Sequence, residues 1–280
     1  MMVLRTGDVG DRVKTLQRGL NKLGAMLLVD GQFGAGTRDA VADARVALGC
    51  PGPPEADDEL QAAVAAVPDP FPSLTAAGVT FIARAEVSNA GMYQNKYRAP
   101  CWPSAESGMT IGIGYDCQFV RPEQLYADWA GVLPSHVIDQ LVPASGKVGS
   151  QALLTELGAV LVPLSAAMTV FARRSLPEFL KRARAIYPEV DDLAPARRTA
   201  LVSLVYNRGA RLHDKDEARQ DRREMRTIRE LLASGQHDLV AGQFDLMARL
   251  WDPTKLAGLI QRRRAEATLW RAGFGALQLE

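Results

Sequence analysis

Residues 109–116 read Met109-Thr110-Ile111-Gly112-Ile113-Gly114-Tyr115-Asp116. β-Branched residues alternating with glycine predict a short strand whose backbone another element approaches closely. On its amino-terminal side, Leu74 to Glu86 carries Val79, Ile82 and Ala83 at helical spacing, with Thr75 placed to cap that helix. Between them, Asn89 to Gly108 is too rich in Gly, Pro and aromatic residues for one long element. Beyond about residue 122 the pattern is helical, punctuated by Pro134, Pro143, Pro163, Pro177, Pro188 and Pro195. The strand therefore stands in a helical surround, and the fold class is mainly α.

Toward the amino terminus the chain is helical again. Val13, Leu16, Gln17, Leu20 and Leu23 repeat at three- and four-residue steps, with Gly24 as a stop. Asp30-Gly31-Gln32-Phe33-Gly34 is a turn, after which Thr37 can cap a second helix with Ala40, Val41, Ala44 and Leu48 on one face. A third short helix runs from Glu59 to Val67. Val67-Pro-Asp-Pro-Phe-Pro72 then excludes helix and central strand and reads as a stiff linker. The expected organisation is a three-helix module over 1–67, a proline-rich linker over 68–74 and a second domain over 75–280. Charge differs between the parts, 7 basic against 10 acidic residues up to residue 72 and 26 against 22 after it.

Composition narrows the function. The chain has 280 residues, 47% hydrophobic and 23% charged, which suits a folded globular protein. A net charge of +1 argues against a dedicated nucleic-acid binder. No apolar run approaches the roughly 20 residues that span a bilayer, and Met1 to Gly10 shows no secretion signal. Cys50, Cys101 and Cys117 lack zinc-ligand spacing, and three scattered histidines do not supply it, so neither a metal nor an organic cofactor is expected.

Glycoside hydrolysis needs two carboxyl groups in different environments, one a proton donor to the leaving oxygen and the other ionised. Glu86 at a helix end and Asp116 after a glycine-rich strand could face each other across a groove, with Thr110 orienting a water. With 32 acidic residues in the chain, that pairing has little specificity by itself.

Two resemblances sharpen it. Gly7-Asp8-Val9-Gly10-Asp11-Arg12-Val13, Leu16-Gln17, Leu23-Gly24, Asp30-Gly31-Gln32-Phe33-Gly34, Thr37 and Ala40-Val41 resemble the three-helix peptidoglycan-binding domain of bacterial cell-wall enzymes. Glu86, followed by Thr110-Ile-Gly-Ile-Gly-Tyr-Asp116, resembles the catalytic segment of phage-type lysozymes of glycoside hydrolase family 24, in its pesticin-like variant. Common members place the Asp six positions before the Thr, where this chain has Ser104; pesticin-like members place it six after, as Asp116 does. Ala200 to Gly209, Arg226 to Leu232, Met247 to Trp251 and Gly258 to Glu266 follow in the order of that family. The resemblance implies an α+β lysozyme-like domain with a small β-hairpin beside the cleft. It also implies an inverting, cofactor-free muramidase of the endolysin type, with Glu86 as general acid, Asp116 as general base and Thr110 holding the water. Glu106 is the local rival for the base.

Further expectations follow. Trp102 and Tyr115, and from the carboxyl-terminal half Asn207 and Arg208, are candidates to touch substrate; Trp129, Trp251 and Trp270 are core. Cys101 and Cys117 either close a disulfide or remain thiols. Arg262, Arg263 and Arg264 read as a solvated helix face, from which one member could orient Glu86, and Asp214 to Arg226 as an exposed charged run. Peptidoglycan is the expected partner of a monomer that reaches the wall through a holin or an injection apparatus. An antibacterial effector with an immunity partner, and an inactive wall-binding protein, are the alternatives.

Overall fold

A computed structural model of the chain describes residues 3–103 and 106–273. The fold is mainly helical: α1 (Asp11–Lys22), α2 (Ala35–Leu48), α3 (Asp58–Ala66), α4 (Ala76–Val87), α5 (Ala90–Met92), α6 (Pro122–Trp129) and α7 (Ser135–Leu141). They are followed by α8 (Gln151–Glu156), α9 (Leu164–Val170), α10 (Leu176–Ile186), α11 (Pro195–Arg208), α12 (Arg223–Ala233), α13 (Val240–Leu246) and α14 (Ala257–Ala272). Strands β1 (Thr110–Ile111) and β2 (Tyr115–Asp116) form an antiparallel pair between α5 and α6. The prolines mark starts. Pro122 and Pro195 open α6 and α11, and Pro134 and Pro163 immediately precede α7 and α9, positions where a missing N–H costs no helical hydrogen bond.

By packing, the chain divides into two compact units, residues 1–72 with 79–175 and residues 73–78 with 176–280. In the first, α1, α2 and α3 enclose a core that includes Leu4, Val13, Leu20, Phe33, Val41 and Leu60. The Asp30–Gly34 turn is held from inside. Buried Gln17 donates to Asp30 Oδ1 (2.8 Å), the Gln32 carbonyl (3.1 Å) and Thr37 Oγ1 (3.2 Å), while its own carbonyl oxygen accepts Gly31 N–H (2.9 Å). Thr37 is therefore no cap. Helix α2 begins earlier, at Ala35, and the Thr37 hydroxyl lies buried against the turn. Lys22 Nζ reaches the Val67 carbonyl (2.8 Å), Arg84 reaches the Met26 carbonyl (3.2 Å), and Pro68 and Pro70 line a cavity of about 410 Å3 with Asn21, Gly24 and Met168.

Arg45, 4% exposed, ties the loop after α2. Its guanidinium donates to the carbonyls of Cys50 (3.1 Å) and Glu55 (2.7 Å) and to Asp57 Oδ2 (2.7 Å). Asp57 caps α3 through Leu60 N–H (2.9 Å).

In the second unit two expectations on charge hold only in part, Arg264 being exposed as expected. Arg262 and Arg263 are buried rather than solvated: Arg263 Nη2 donates to Glu266 Oε1 (2.7 Å), Ser203 Oγ donates to the same oxygen (2.6 Å), and Arg262 holds Ser203. The run Asp214 to Arg226 is exposed over residues 215–220, as expected, but anchored at its ends. Glu224, 1% exposed, takes a fork from Arg249 (2.7 and 3.0 Å), and Asp214 accepts Arg222 N–H (2.6 Å) and pairs with Arg226 (2.9 Å). These opposite-charge contacts hold the two ends of the segment in place.

Replacing Arg45 with Met should lower stability by about 1.5–3 kcal/mol, because the Glu55 and Cys50 carbonyls lose a charged donor; chemical denaturation reads this directly. The Leu60 N–H first, and Arg45 second, hold the Asp57 carboxyl below its ordinary 3.8. A lowered carboxyl contributes stability that is complete above its unfolded value and is lost as pH falls through the folded one. Melting temperature should therefore drop below about pH 4, with a shallower acid limb in Asp57→Asn.

Candidate functional site

Thr110 has a backbone partner on each side. It exchanges both hydrogen bonds with Cys101 (2.8 and 2.9 Å), and it stands opposite Asp116 in the β1–β2 pair. Cys117 N–H donates to the Met109 carbonyl (2.9 Å), which makes Thr110 and Asp116 a non-hydrogen-bonded pair. Such pairs hold their Cα atoms about 4.5 Å apart with the side chains leaning together. Directly opposed residues share a face, so Cys101, Thr110 and Asp116 point to one side of this small ribbon. Cys117, the next residue along, points to the other, where it is fully buried.

This alternation decides the cysteines. Cys101 and Cys117 lie on opposite faces and are free thiols, as is Cys50. Burial pushes the Cys117 thiol up to about 12 and raises Cys101 as well, so neither is a ready thiolate.

The hairpin needs its glycines. Gly112 and Gly114 take φ +58 and +67, and a Cβ at Gly112 would lie 3.1 Å from Ala167 Cβ and 3.2 Å from the Trp129 ring, the close approach expected of this segment. Gly108 is more tightly placed still. A Cβ there would lie 2.3 Å from Asp116 Oδ1 and 2.7 Å from Gln118 N. Asp116 Oδ1 accepts that Gln118 N–H (2.9 Å). Among the described residues, Asp116 Oδ2 and the Thr110 hydroxyl take part in no hydrogen bond, and both side chains are half-buried. One carboxylate oxygen is thus pinned while the other is left out of the hydrogen bonding of the described residues.

Glu86 lies in the last turn of α4 in the same unit, half-buried; the chain leaves the helix through Ser88 at φ 64. Glu106 is exposed, and Ser104 lies outside the described residues. Trp102 is half-buried against Gly149, where an added Cβ would come within 2.4 Å of its ring. Tyr115 turns inward: its hydroxyl donates to Asp128 Oδ2 (2.8 Å), and its ring meets Trp129 edge-on at 5.4 Å. Burial first, then Asp128, raises the Tyr115 phenol above its ordinary range. Asp128 also takes Gln124 (2.6 Å) and Arg174 (3.2 Å), a bracing role for the hairpin that sequence reading missed. The i,i+4 spacing of Gln124 and Asp128 was its only signal. Asn207 and Arg208 belong to the other unit, at the end of α11, where Asn207 is exposed and Arg208 stacks over Trp251 at 5.2 Å. Among the described residues no three metal-ligating side chains converge, and no helix is long and apolar enough to cross a membrane.

A protein family described as "Putative peptidoglycan binding domain" matches residues 9–49. The amino-terminal module is a peptidoglycan-binding domain. The match spans α1, the Gln17-braced turn and α2 of that domain. No curated protein sequence matches the chain. A solved structure, the "Crystal structure of Burkholderia AP3 phage endolysin", aligns with 20% identity over 94% of this chain and 99% of that one, at a TM-score of 0.23. A TM-score that low supports no comparison of site or fold.

Gly108→Ala should displace Asp116 and the Gln118 amide, cutting any activity that depends on Asp116 by at least about tenfold, with a melting temperature within a few degrees of wild type as the control. Unfolded in iodoacetamide without reductant, the protein should take up three alkyl groups; two fewer would mean that Cys101 and Cys117 had bridged.

Proposed function

We propose that the protein is a muramidase that hydrolyses the β-1,4 bond between N-acetylmuramic acid and N-acetylglucosamine in peptidoglycan. The observation that carries this reading is the register that sets Thr110 opposite Asp116 on one face of the ribbon, with one Asp116 carboxylate oxygen outside the hydrogen bonds of the described residues. That arrangement suits a group that holds a water and a base that takes its proton. Glu86 is the proposed proton donor. As the glycosidic C–O bond breaks, Glu86 gives its proton to the leaving oxygen, water held at Thr110 attacks the anomeric carbon from the opposite face, and Asp116 accepts the proton that water releases. The configuration inverts, and the two carboxylates regain their starting protonation from solvent. Inversion requires a carboxyl separation of roughly 6.5–9.5 Å, leaving room for the water.

The peptidoglycan-binding domain supports the choice of polymer, since tethering raises the local concentration of bonds to be cut. The site of action is then the wall, with a holin or an injection apparatus as the proposed route. Wild-type protein should clear suspensions of peptidoglycan and release muropeptides with reducing muramic acid ends, read by mass spectrometry. Glu86→Gln and Asp116→Asn should each lose about 10²–10⁴-fold in rate, and Thr110→Ala less. Anhydro-muramic ends would point to a transglycosylase, and full activity in Asp116→Asn would shift the base to Glu106.

A further inference from the structure

Outside the hairpin, the second unit contains a charge imbalance that nothing in the muramidase reading uses. Helix α11 ends at Arg208, and the chain then loops through Arg211 and Asp214 to Arg222 at the entry to α12. Three guanidiniums converge there on a single carboxylate oxygen. Arg222 Nε lies 3.4 Å, Arg211 Nη2 3.6 Å and Arg208 Nη2 4.0 Å from Asp221 Oδ2. One aspartate carries a single negative charge against three positive ones, and its other oxygen, Oδ1, accepts Lys215 N–H (2.8 Å).

Some of the guanidinium nitrogens find other partners. Arg208 Nη2 donates to the Asp221 carbonyl, Arg211 Nε to the His213 carbonyl (2.9 Å), and Arg222 Nη1 contacts the Met225 sulfur (3.3 Å). Arg208 Nε, Arg211 Nη2 and Arg222 Nε are buried with no hydrogen-bond partner among the described residues. The neighbouring acids are committed elsewhere, Glu224 to Arg249 and Asp214 to Arg226. Burial, then Arg222 and Arg263, push the Arg208 guanidinium down to about 10, the direction expected where positive charge is in excess. Burying charged donors without a hydrogen bond is costly, and a guanidinium fork matches the geometry of an oxyanion.

We propose that Arg208, Arg211 and Arg222 form a binding site for a small oxyanion. The ligand enters past Arg211 and Asp221, whose side chains keep 21% and 20% of their exposure, and completes the hydrogen bonding that one aspartate cannot. Arg208 is held ready by stacking on Trp251. The oxyanion comes either as free phosphate or as the carboxylate of an acylated amino acid, and the two sources can be told apart.

The test is thermal unfolding of the full chain in sodium phosphate, in sodium N-acetyl-alaninate and in sodium chloride, at matched pH and ionic strength. One or both oxyanions should raise the melting temperature by about 2–4 °C over chloride once the ligand exceeds its Kd tenfold. A rise in phosphate alone names phosphate as the ligand, and a rise in the carboxylate alone names the carboxylate. Arg211→Gln should abolish the increment and Arg211→Lys keep part of it. Equal melting in all three salts, or an increment that survives Arg211→Gln, overturns the proposal. Should Arg211→Gln fail to fold, 15N NMR of the wild type decides: saturable phosphate- or carboxylate-dependent shifts of the Arg208 and Arg222 Nε–H signals support the site, and linear drift contradicts it.

Discussion

The chemistry proposed for this chain depends on the register of two residues on each of two strands. Because Thr110 pairs with Asp116, a hydroxyl and a carboxylate lean together on one face of the ribbon; a slip of one residue would put Tyr115 or Cys117 there instead. Several local features hold that register. Cys101 pairs with Thr110 from the other edge, Gly112 and Gly114 supply the positive φ of the turn, and Gly108 leaves the space that Asp116 Oδ1 occupies. Tyr115 is fastened behind the ribbon by Asp128 and Trp129. A strand pair this short has few hydrogen bonds of its own, so its precision comes from what packs around it.

Local features were legible in the sequence. The alternation of β-branched residues and glycine announced the strand, the lysozyme resemblance its hairpin, and Thr75 caps α4 by accepting Gly78 N–H (3.3 Å). Val13, Leu16 and Leu20 are in the first core as their spacing implied. Features that depend on distant partners were not legible. Arg262 and Arg263 look like any charged helix face until Ser203, about 60 positions earlier, and Glu266 are seen to meet them. The Asp214 to Arg226 run is ordered largely by Arg249, which grips Glu224 and the carbonyls of Arg219 and Gln220. Thr37 failed as a cap for a related reason: Gln17, 20 positions earlier, claims its hydroxyl for the turn.

The same contrast separates the site residues. Thr110 and Asp116 are six residues apart, and a hairpin between them fixes their relation from the local sequence alone. The supports of that hairpin, Asp128 and Arg174, come from further along the chain and carry no motif. Burial of guanidinium groups recurs through the molecule, at Arg45, Arg222, Arg262 and Arg263. Where carbonyls and carboxylates match the donors, as at Arg45, the result is a brace. Around Asp221 the donors outnumber the acceptors, and the surplus is chemical information that composition, with its net charge of +1, conceals.

The anomeric form of the first product released from a defined glycan is the most direct measurement of whether Thr110 and Asp116 work on a water. Time-resolved proton NMR distinguishes the anomers before mutarotation mixes them. Initial appearance of the α-anomer from the β-linked substrate is the predicted result. Initial appearance of the β-anomer would mean a covalent intermediate on the enzyme or attack by a group of the substrate, and would contradict the role assigned to the Thr110–Asp116 pair.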